Sequence, residues 1–311
     1  MTARFLVTGG AGFIGGHLVA ALLARGDQVV VVDDLSTGRA DNVPQPAHLV
    51  RGDIRDAGLM QRLVAGADRI IHLAACVSVQ HCIQDWTTGH SINLGGTITV
   101  FQAAQRAGNV PVIYASSAAV YGDRGDAVCA EGDVPAPISP YGADKLGCEH
   151  QARAMAAVHG VPSVGLRFFN VYGPGQSPDS SYAGVISRFC DNRRAGRPHT
   201  LFGDGGQTRD FIHVRDIVAG ILRAADVVGQ GAQVFNLCGG RPTSLLELAA
   251  VIDAAAGAGA TPLDFQDARA GDIRHSRGCD RAAQAGLGFA AHIPLDDGIA
   301  DLWRHLNGST G

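Results

Sequence analysis

The chain has no C-x-x-C pair among its seven cysteines (Cys76, Cys82, Cys129, Cys148, Cys190, Cys238 and Cys279), which argues against a zinc ribbon or a thioredoxin-like redox motif. These thiols sit largely within apolar segments, so buried free cysteine is favoured over disulfides. No apolar run approaches the roughly 18 residues that a membrane span needs. There is no basic run either, and a net charge of -4 argues against nucleic acid and against a membrane surface as partners. Any anionic substrate must therefore be met by local groups. The first strand-like run starts near Arg4, leaving no room for a signal peptide, so the expectation is a soluble, cytoplasmic protein.

What the chain does have is glycine and apolar side chain. With 42 Gly and 46% hydrophobic residues in 311, it can bury a large core through many tight strand-helix turns. The length suits one large α/β domain, or a large domain with a smaller companion. Apolar, β-branched runs at Phe5 to Thr8, Val29 to Val32, His48 to Arg51, Arg69 to Leu73, Val110 to Ala115 and Val161 to Leu166 read as strands. Leu18 to Ala24, Ala57 to Val64, Thr97 to Ala107 and Lys145 to His159 read as the helices between them. Strands that stay apolar throughout are buried on both faces, which predicts an α/β fold with a doubly wound, Rossmann-like parallel sheet.

After Asn170 the pattern turns to Gly/Pro-rich loops, with a short helix around Tyr182 to Arg193. Phe211 to Ala225 and Gln233 to Leu237 read as a helix and a strand that return to the sheet; Leu245 to Ala256 and the tail read as a smaller α/β lobe. The Ala/Gly stretch at Ala254 to Gly259 reads as a helix end. The predicted division is 1–168 with 209–240 for the dinucleotide-binding domain, and 169–208 with 241–311 for the lobe.

Thr8 to Gly15 read T-G-G-A-G-F-I-G, directly after an apolar strand and before an apolar helix. In that setting Gly9 permits the tight turn, Gly12 lets backbone approach a pyrophosphate, and Gly15 lets helix pack on strand, with Phe13 and Ile14 at the helix start. Asp33 ends the second strand, where a carboxylate accepts from ribose hydroxyls and repels a 2′-phosphate; NAD is favoured over NADP. Asp34 shares that role or is a solvated turn residue. Asp53, beside Ile54 in R-G-D-I-R-D, accepts from an adenine amino group or caps a helix.

Tyr141 to Lys145 read Y-G-A-D-K. Residues i and i+4 share one helix face, so the Lys145 ammonium stabilises a Tyr141 phenolate and makes it a general base. Alone, this spacing more often marks a solvated helix surface. Tyr114-Ala115-Ser116-Ser117 ends the fifth strand at the carboxyl edge, where a hydroxyl could donate to a substrate oxygen and relay its proton to Tyr141.

T-G-G-A-G-F-I-G, S-S-A-A-V-Y-G, S-P-Y-G-A-D-K, R-F-F-N-V-Y-G and T-R-D-F-I-H-V occur together in one chain. Taken as an ordered set over nearly its whole length, they resemble the extended short-chain dehydrogenase/reductase family, and within it the UDP-hexose 4-epimerases that act on UDP-glucose or UDP-N-acetylglucosamine. The resemblance implies Ser117 as catalytic hydroxyl, with Ser116 as second choice and neighbour of the cofactor, and Tyr141 with Lys145 as base and partner. It implies NAD contacts at Leu73, Ala74, Ala75 and Asn93, with Phe168 backing the nicotinamide. Asn170 and Arg209 would hold the nucleotide diphosphate, Arg offering a bidentate fork. Arg269 and Asp272 would lie near the nucleoside, and Ser78 would join the substrate contacts. Arg209 and Arg269 are also readable as surface ion pairs.

The reaction so implied removes hydride from C4 to NAD and the 4-hydroxyl proton to Tyr141, turns the 4-keto sugar over, and returns hydride to its other face. Ser276, four residues after Asp272, is small where the resemblance places the border of the sugar C2 substituent. That favours UDP-GlcNAc and UDP-GalNAc, with UDP-Glc and UDP-Gal as further substrates. Related 4,6-dehydratases and decarboxylases carry an acid just after the catalytic hydroxyl, where this chain has Ala118 and Ala119. A non-catalytic NAD(H)-sensing protein would need no Ser/Tyr/Lys set. The family also implies a homodimer through helices around Ile92 to Ala107 and Lys145 to His159, where Gly147, Ala152 and Ala156 would allow close approach or else face the chain's own core.

Overall fold

Strands and helices alternate from the first residues of the computed structural model, which describes residues 2–176, 184–257, 259–268 and 273–308. The order begins β1 (Arg4–Thr8), α1 (Phe13–Ala24), β2 (Gln28–Asp33), β3 (His48–Arg51), α2 (Ala57–Val64), β4 (Arg69–His72), α3 (Val79–Gln84), α4 (Trp86–His90) and α5 (Gly96–Arg106). It continues β5 (Val112–Ser117), α6 (Pro140–His159), β6 (Ser163–Phe168), β7 (Asn170–Tyr172), α7 (Val185–Arg194), β8 (His199–Phe202), β9 (Thr208–His213) and α8 (Val214–Val227). Last come β10 (Ala232–Leu237), β11 (Pro242–Ser244), α9 (Leu245–Ala256), β12 (Leu263–Gln266), α10 (Arg281–Leu287) and α11 (Leu295–Leu306).

Seven strands form one parallel sheet in the order β3-β2-β1-β4-β5-β6-β10. Leu18 and Leu22 of α1, Ile217 and Ile221 of α8, and Ala283 and Leu287 of α10 share one core with one sheet face. Met60 and Val64 of α2, Phe101 of α5 and Cys148 and Ala152 of α6 build the other. With both faces covered, the strands have no use for polar alternation, and this is why they read as unbroken apolar runs. The expected doubly wound fold is the observed one.

A smaller lobe carries β7, β9 and β11 in one sheet and β8 with β12 in another. Tyr172, Ile186, Phe189, Leu201, Leu248, Ile252, Ile299 and Leu302 form its core. Two elements cross the division drawn from the sequence. Phe211 to His213, expected to open a helix, instead end β9, because they pair with Asn170 to Tyr172 of β7 while the preceding Thr208 to Asp210 pair with β11; α8 starts only at Val214. The tail is also split: α10 packs with Phe235 of β10 under the large sheet, while α11 stays with the lobe.

Other differences are local. α6 starts at Pro140, ahead of Lys145, because Ser139 caps it by accepting from Gly142 N at 3.1 Å and proline suits the first helical position. α7 matches the short helix expected around Tyr182 to Arg193, although Tyr182 lies outside the described residues. α9 ends as expected, with Gly257 at a left-handed φ of 68°. Of the small residues on α6, Ala152 is buried in the chain's own core and Gly147 packs on Leu94. All seven cysteines are free thiols, and among the described residues no helix is long and apolar enough to cross a membrane.

If α10 belongs to the core of the large sheet, Leu287→Ala should lower unfolding stability by about 3 kcal/mol, as cavity-forming changes in a packed core do. Leu263→Ala, at a site 39% exposed, should stay within about 0.5 kcal/mol of the parent. Urea denaturation of the two variants checks this.

Candidate active site

The strand order reverses between β1 and β4, and in open parallel sheets a crevice forms at the carboxyl ends of such neighbours. Gly9 turns the chain out of β1 with φ at +70°, and a β-carbon there would come 2.6 Å from the backbone nitrogen of Ala74, in the loop after β4. At Gly15 a β-carbon would run into the Gly9 carbonyl. Gly12 is the N-cap of α1 and supplies no side-chain cap, so the helix presents its first N–H groups at the crevice. A cradle that any side chain would fill, ending in an uncapped helix N-terminus, fits a pyrophosphate. Phe13 and Ile14 form the first residues of that helix.

Asp33 closes β2 with its side chain turned back into the same turn, accepting from Ala11 N at 3.0 Å and Leu35 N at 2.9 Å. Burial pushes its carboxyl above the ordinary range, against the pull of those two donors. Asp34 is exposed and accepts from Ser36 N at 2.9 Å and Ser36 Oγ at 2.6 Å within the same turn. Asp53 is gripped by Arg55, with an ion-pair distance of 2.5 Å, and this partner holds its carboxyl below the ordinary range. The cap of the following helix comes from Asp56 and not from Asp53: Asp56 accepts from Leu59 N at 2.9 Å. Ile54 beside it is buried against Gly96.

The loop after β4 is tied down at each step. Leu73 N and Ala74 N donate to the Thr8 carbonyl and hydroxyl at 3.1 and 3.2 Å. Asn93, buried in the wide turn Ser91–Gly95, accepts from Cys76 N at 2.8 Å and donates to Cys76 O at 3.2 Å, shaping the chain just after Ala75. Ser78 is spent as the N-cap of α3, accepting from His81 N at 2.9 Å, and does not line the cavity described next.

A cavity of about 950 Å³ opens beside this edge, lined by Ser117, Tyr141, Phe168, Asn170, Arg209 and Ser276 among others. Of the two serines ending β5, Ser117 faces it, its Oγ accepting from Ala119 N at 3.1 Å. Ser116 points the other way and donates to Glu149 Oε1 at 2.6 Å. Tyr141 sits in the first turn of α6, which comes so close to the turn after Ser117 that a β-carbon on Gly142 would lie 2.6 Å from the Ala119 carbonyl. Lys145, the only lysine in the chain, is buried behind Tyr141. Its Nζ donates to Ala115 O at 2.8 Å and lies 5.8 Å from the Tyr141 ring centre. His72 lies in the same buried region, bonded to Thr8 and Thr97. Burial and the Lys145 ammonium push its imidazole down to about 3, so it stays neutral beside the lysine.

The far wall comes from the lobe. Arg209 on β9 donates to Thr208 O at 2.9 Å while its side chain lines the cavity. Asp210, fully buried next to it, accepts from Gly239 N at 2.7 Å and Gly278 N at 2.9 Å, tying the segment that carries Ser276 to β9. Burial lifts the Asp210 carboxyl to about 6, opposed by these donors. Arg188 on α7, Arg197 after it, Gln207 and His275 also line the cavity, and no local motif singles them out in the sequence. Arg269 and Asp272 lie outside the described residues.

A dinucleotide cradle, a Ser/Tyr/Lys cluster at the carboxyl edge and a separate lobe that brings arginines to the cavity wall define a nicotinamide-dependent enzyme of the doubly wound class. Residues 5–238 match the NAD dependent epimerase/dehydratase family, and the chain belongs to it. It is 39% identical over 305 residues to a UDP-glucose 4-epimerase of Mycolicibacterium smegmatis, covering 96% of each chain. A dTDP-glucose 4,6-dehydratase of Actinoplanes sp. is 35% identical over 323 residues, covering 98% of this chain and 99% of its own. Among solved structures, a UDP-N-acetylglucosamine 4-epimerase from Methanobrevibacter ruminantium M1 superposes with a TM-score of 0.93 at 29% identity, over 99% of both chains.

Asp33→Ala should weaken NAD binding about tenfold while NADP changes little, since one change removes a ribose acceptor and a charge repelling the 2′-phosphate. Titration of both cofactors checks it; parallel losses for the two would show that Asp33 does not read the 2′ position.

Proposed function

We propose that this chain is a UDP-hexose 4-epimerase that works through a transient 4-keto sugar, with UDP-GlcNAc and UDP-GalNAc as its preferred pair and UDP-Glc and UDP-Gal also accepted. The observation that carries the reading is that Ser117, Tyr141 and Phe168 open onto the same cavity as Asn170, Arg209 and Ser276. One end of that space does proton chemistry and the other is fitted to a charged nucleotide.

The Gly9-to-Gly15 turn would hold the NAD pyrophosphate and Asp33 the adenosine ribose. Held there, NAD would supply a hydride acceptor, and then donor, for sugar C4. The Tyr141 phenolate takes the proton of the 4-hydroxyl and gives it back, and the Lys145 ammonium, fixed on Ala115 O, stabilises that phenolate. Ser117 donates to the sugar oxygen at the same carbon. Arg209 offers its fork to the diphosphate and Asn170 an amide beside it. Inversion requires both faces of C4 to be presented in turn. A cavity of about 950 Å³ leaves the sugar room to do so while the diphosphate stays anchored.

The dehydratase reading has a relative in its favour. Against it, the two residues directly after Ser117 are Ala118 and Ala119, and neither can move a proton at C5 or C6. A non-catalytic NAD(H) sensor has no need of a buried ammonium behind a cavity-facing phenol. Ser276 supports the N-acetylated preference because its small side chain lines the cavity.

Incubating the protein with a panel of nucleotide sugars and resolving the products separates these readings: C4 epimers support the proposal, and 4-keto-6-deoxy sugars overturn it. Tyr141→Phe should lower kcat by about a hundredfold or more with NAD still bound, and Ser117→Ala should do less. Ser276→Tyr should cut kcat/KM for UDP-GlcNAc relative to UDP-Glc by about tenfold to a hundredfold, the cost of overfilling a fitted space. An unchanged ratio would remove the basis for the N-acetyl preference.

A further inference from the structure

We infer that Glu149 is a positioning residue for the proposed reaction: its buried, two-pronged ion pair with Arg167 sets α6 against β5 and β6 and so places Tyr141 and Lys145 opposite Ser117. The inference rests on the reaction proposed above. Glu149 lies one helical turn beyond Lys145, on the same face of α6. Its side chain is 1% exposed and that of Arg167 5%. Arg167 Nε donates to Oε1 at 2.8 Å and Nη2 to Oε2 at 2.7 Å, while Ser116 Oγ donates to Oε1 at 2.6 Å. The third guanidinium nitrogen, Nη1, donates to Tyr121 OH at 2.8 Å, and that hydroxyl donates to Asn236 Oδ1 on β10 at 2.7 Å.

The register of the sheet joins this network to the cavity. Ser116 pairs with Arg167 and Ser117 with Phe168, in adjacent rungs of β5 and β6. Neighbouring residues of a strand face opposite ways, so the rung bonded to Glu149 is covalently followed by the rung that lines the cavity. The helix end is fixed likewise: Glu149 bonds the β5–β6 rung, Lys145 bonds Ala115, and Tyr141 is held one turn further on.

Stability alone does not call for these groups. Burying two charges costs desolvation, and apolar residues of the same volume are often as stable or more so. What hydrocarbon lacks is direction: a guanidinium fork on a carboxylate accepts one relative setting, whereas packed side chains tolerate a helix slipping along its axis by fractions of an ångström. For proton transfer such slips matter, because a misplacement of about 1 Å can cost a hundredfold in rate.

The test compares the NAD-loaded parent with Glu149→Gln, the double variant Glu149→Gln/Arg167→Met, and Ser116→Ala. Lys145 is the only lysine, so acetic anhydride labelling followed by peptide mass spectrometry reads its protection with no substrate present. Glu149→Gln should lower kcat about tenfold or more, leave KM within about threefold, and speed Lys145 labelling. Removing both charges should return the thermal midpoint toward the parent without restoring kcat or labelling. Recovery of all three together, or parental kcat and labelling in Glu149→Gln, would overturn the inference. Should Glu149→Gln not fold, Ser116→Ala keeps the ion pair and must still lower kcat several-fold at unchanged KM; parental kcat there overturns it. If the parent turns over no nucleotide sugar, the proposed reaction falls, and labelling alone then decides: equal Lys145 protection in all variants overturns the role of Glu149.

Discussion

Everything chemical in this chain depends on the reversal of strand order between β1 and β4. A parallel sheet covered on both faces has only its ends left for chemistry, and the reversal opens one of those ends into a crevice. The backbone of the Gly9 turn and of the loop after Leu73 then approach so closely that neither could tolerate a side chain at Gly9. The loops after β1, β4, β5 and β6 all open on that edge, which brings the dinucleotide cradle, the serine and the cavity-facing aromatic ring together without any of them being near in sequence.

Charge is used sparingly and by type. The one lysine stands behind the tyrosine, its Nζ 5.8 Å from the ring centre, and its histidine neighbour is kept neutral by burial and by that ammonium. Forked guanidinium groups serve where direction matters: Arg167 on a buried carboxylate, Arg209 on the cavity wall. The net charge of the chain is negative, so attraction for an anionic ligand is a property of the lobe wall and not of the molecule.

The parts of the fold that were legible in the sequence are those whose signal is local. Unbroken apolar strands report two-sided burial, and glycine between strand and helix reports a turn no other residue can make. The start of α6 was also written locally, in Ser139 and Pro140, beside the larger signal of Tyr141 and Lys145. The residues of β9 do not announce a strand, because its pairing partners, Asn170 to Tyr172 and Pro242 to Ser244, lie far off in the chain, and pairing outweighs local periodicity. Nothing in the residues of α10 says which core its Ala283 and Leu287 will meet, and the structure places them in the core of the large sheet.

The fold class, the glycine turn between β1 and α1 and the Tyr141–Lys145 spacing are written in the residues themselves, because each rests on contacts within a turn or two of chain. Which of two adjacent serines faces the cavity depends instead on packing between distant segments, since Glu149, itself held by Arg167, captures Ser116 on the opposite side of β5. The structure also shows Asp34 bonded within its own turn, Ser78 capping α3, and Arg188, Arg197 and His275 on the cavity wall. A side chain's orientation at such sites is set by partners supplied from distant segments, and no local pattern encodes them.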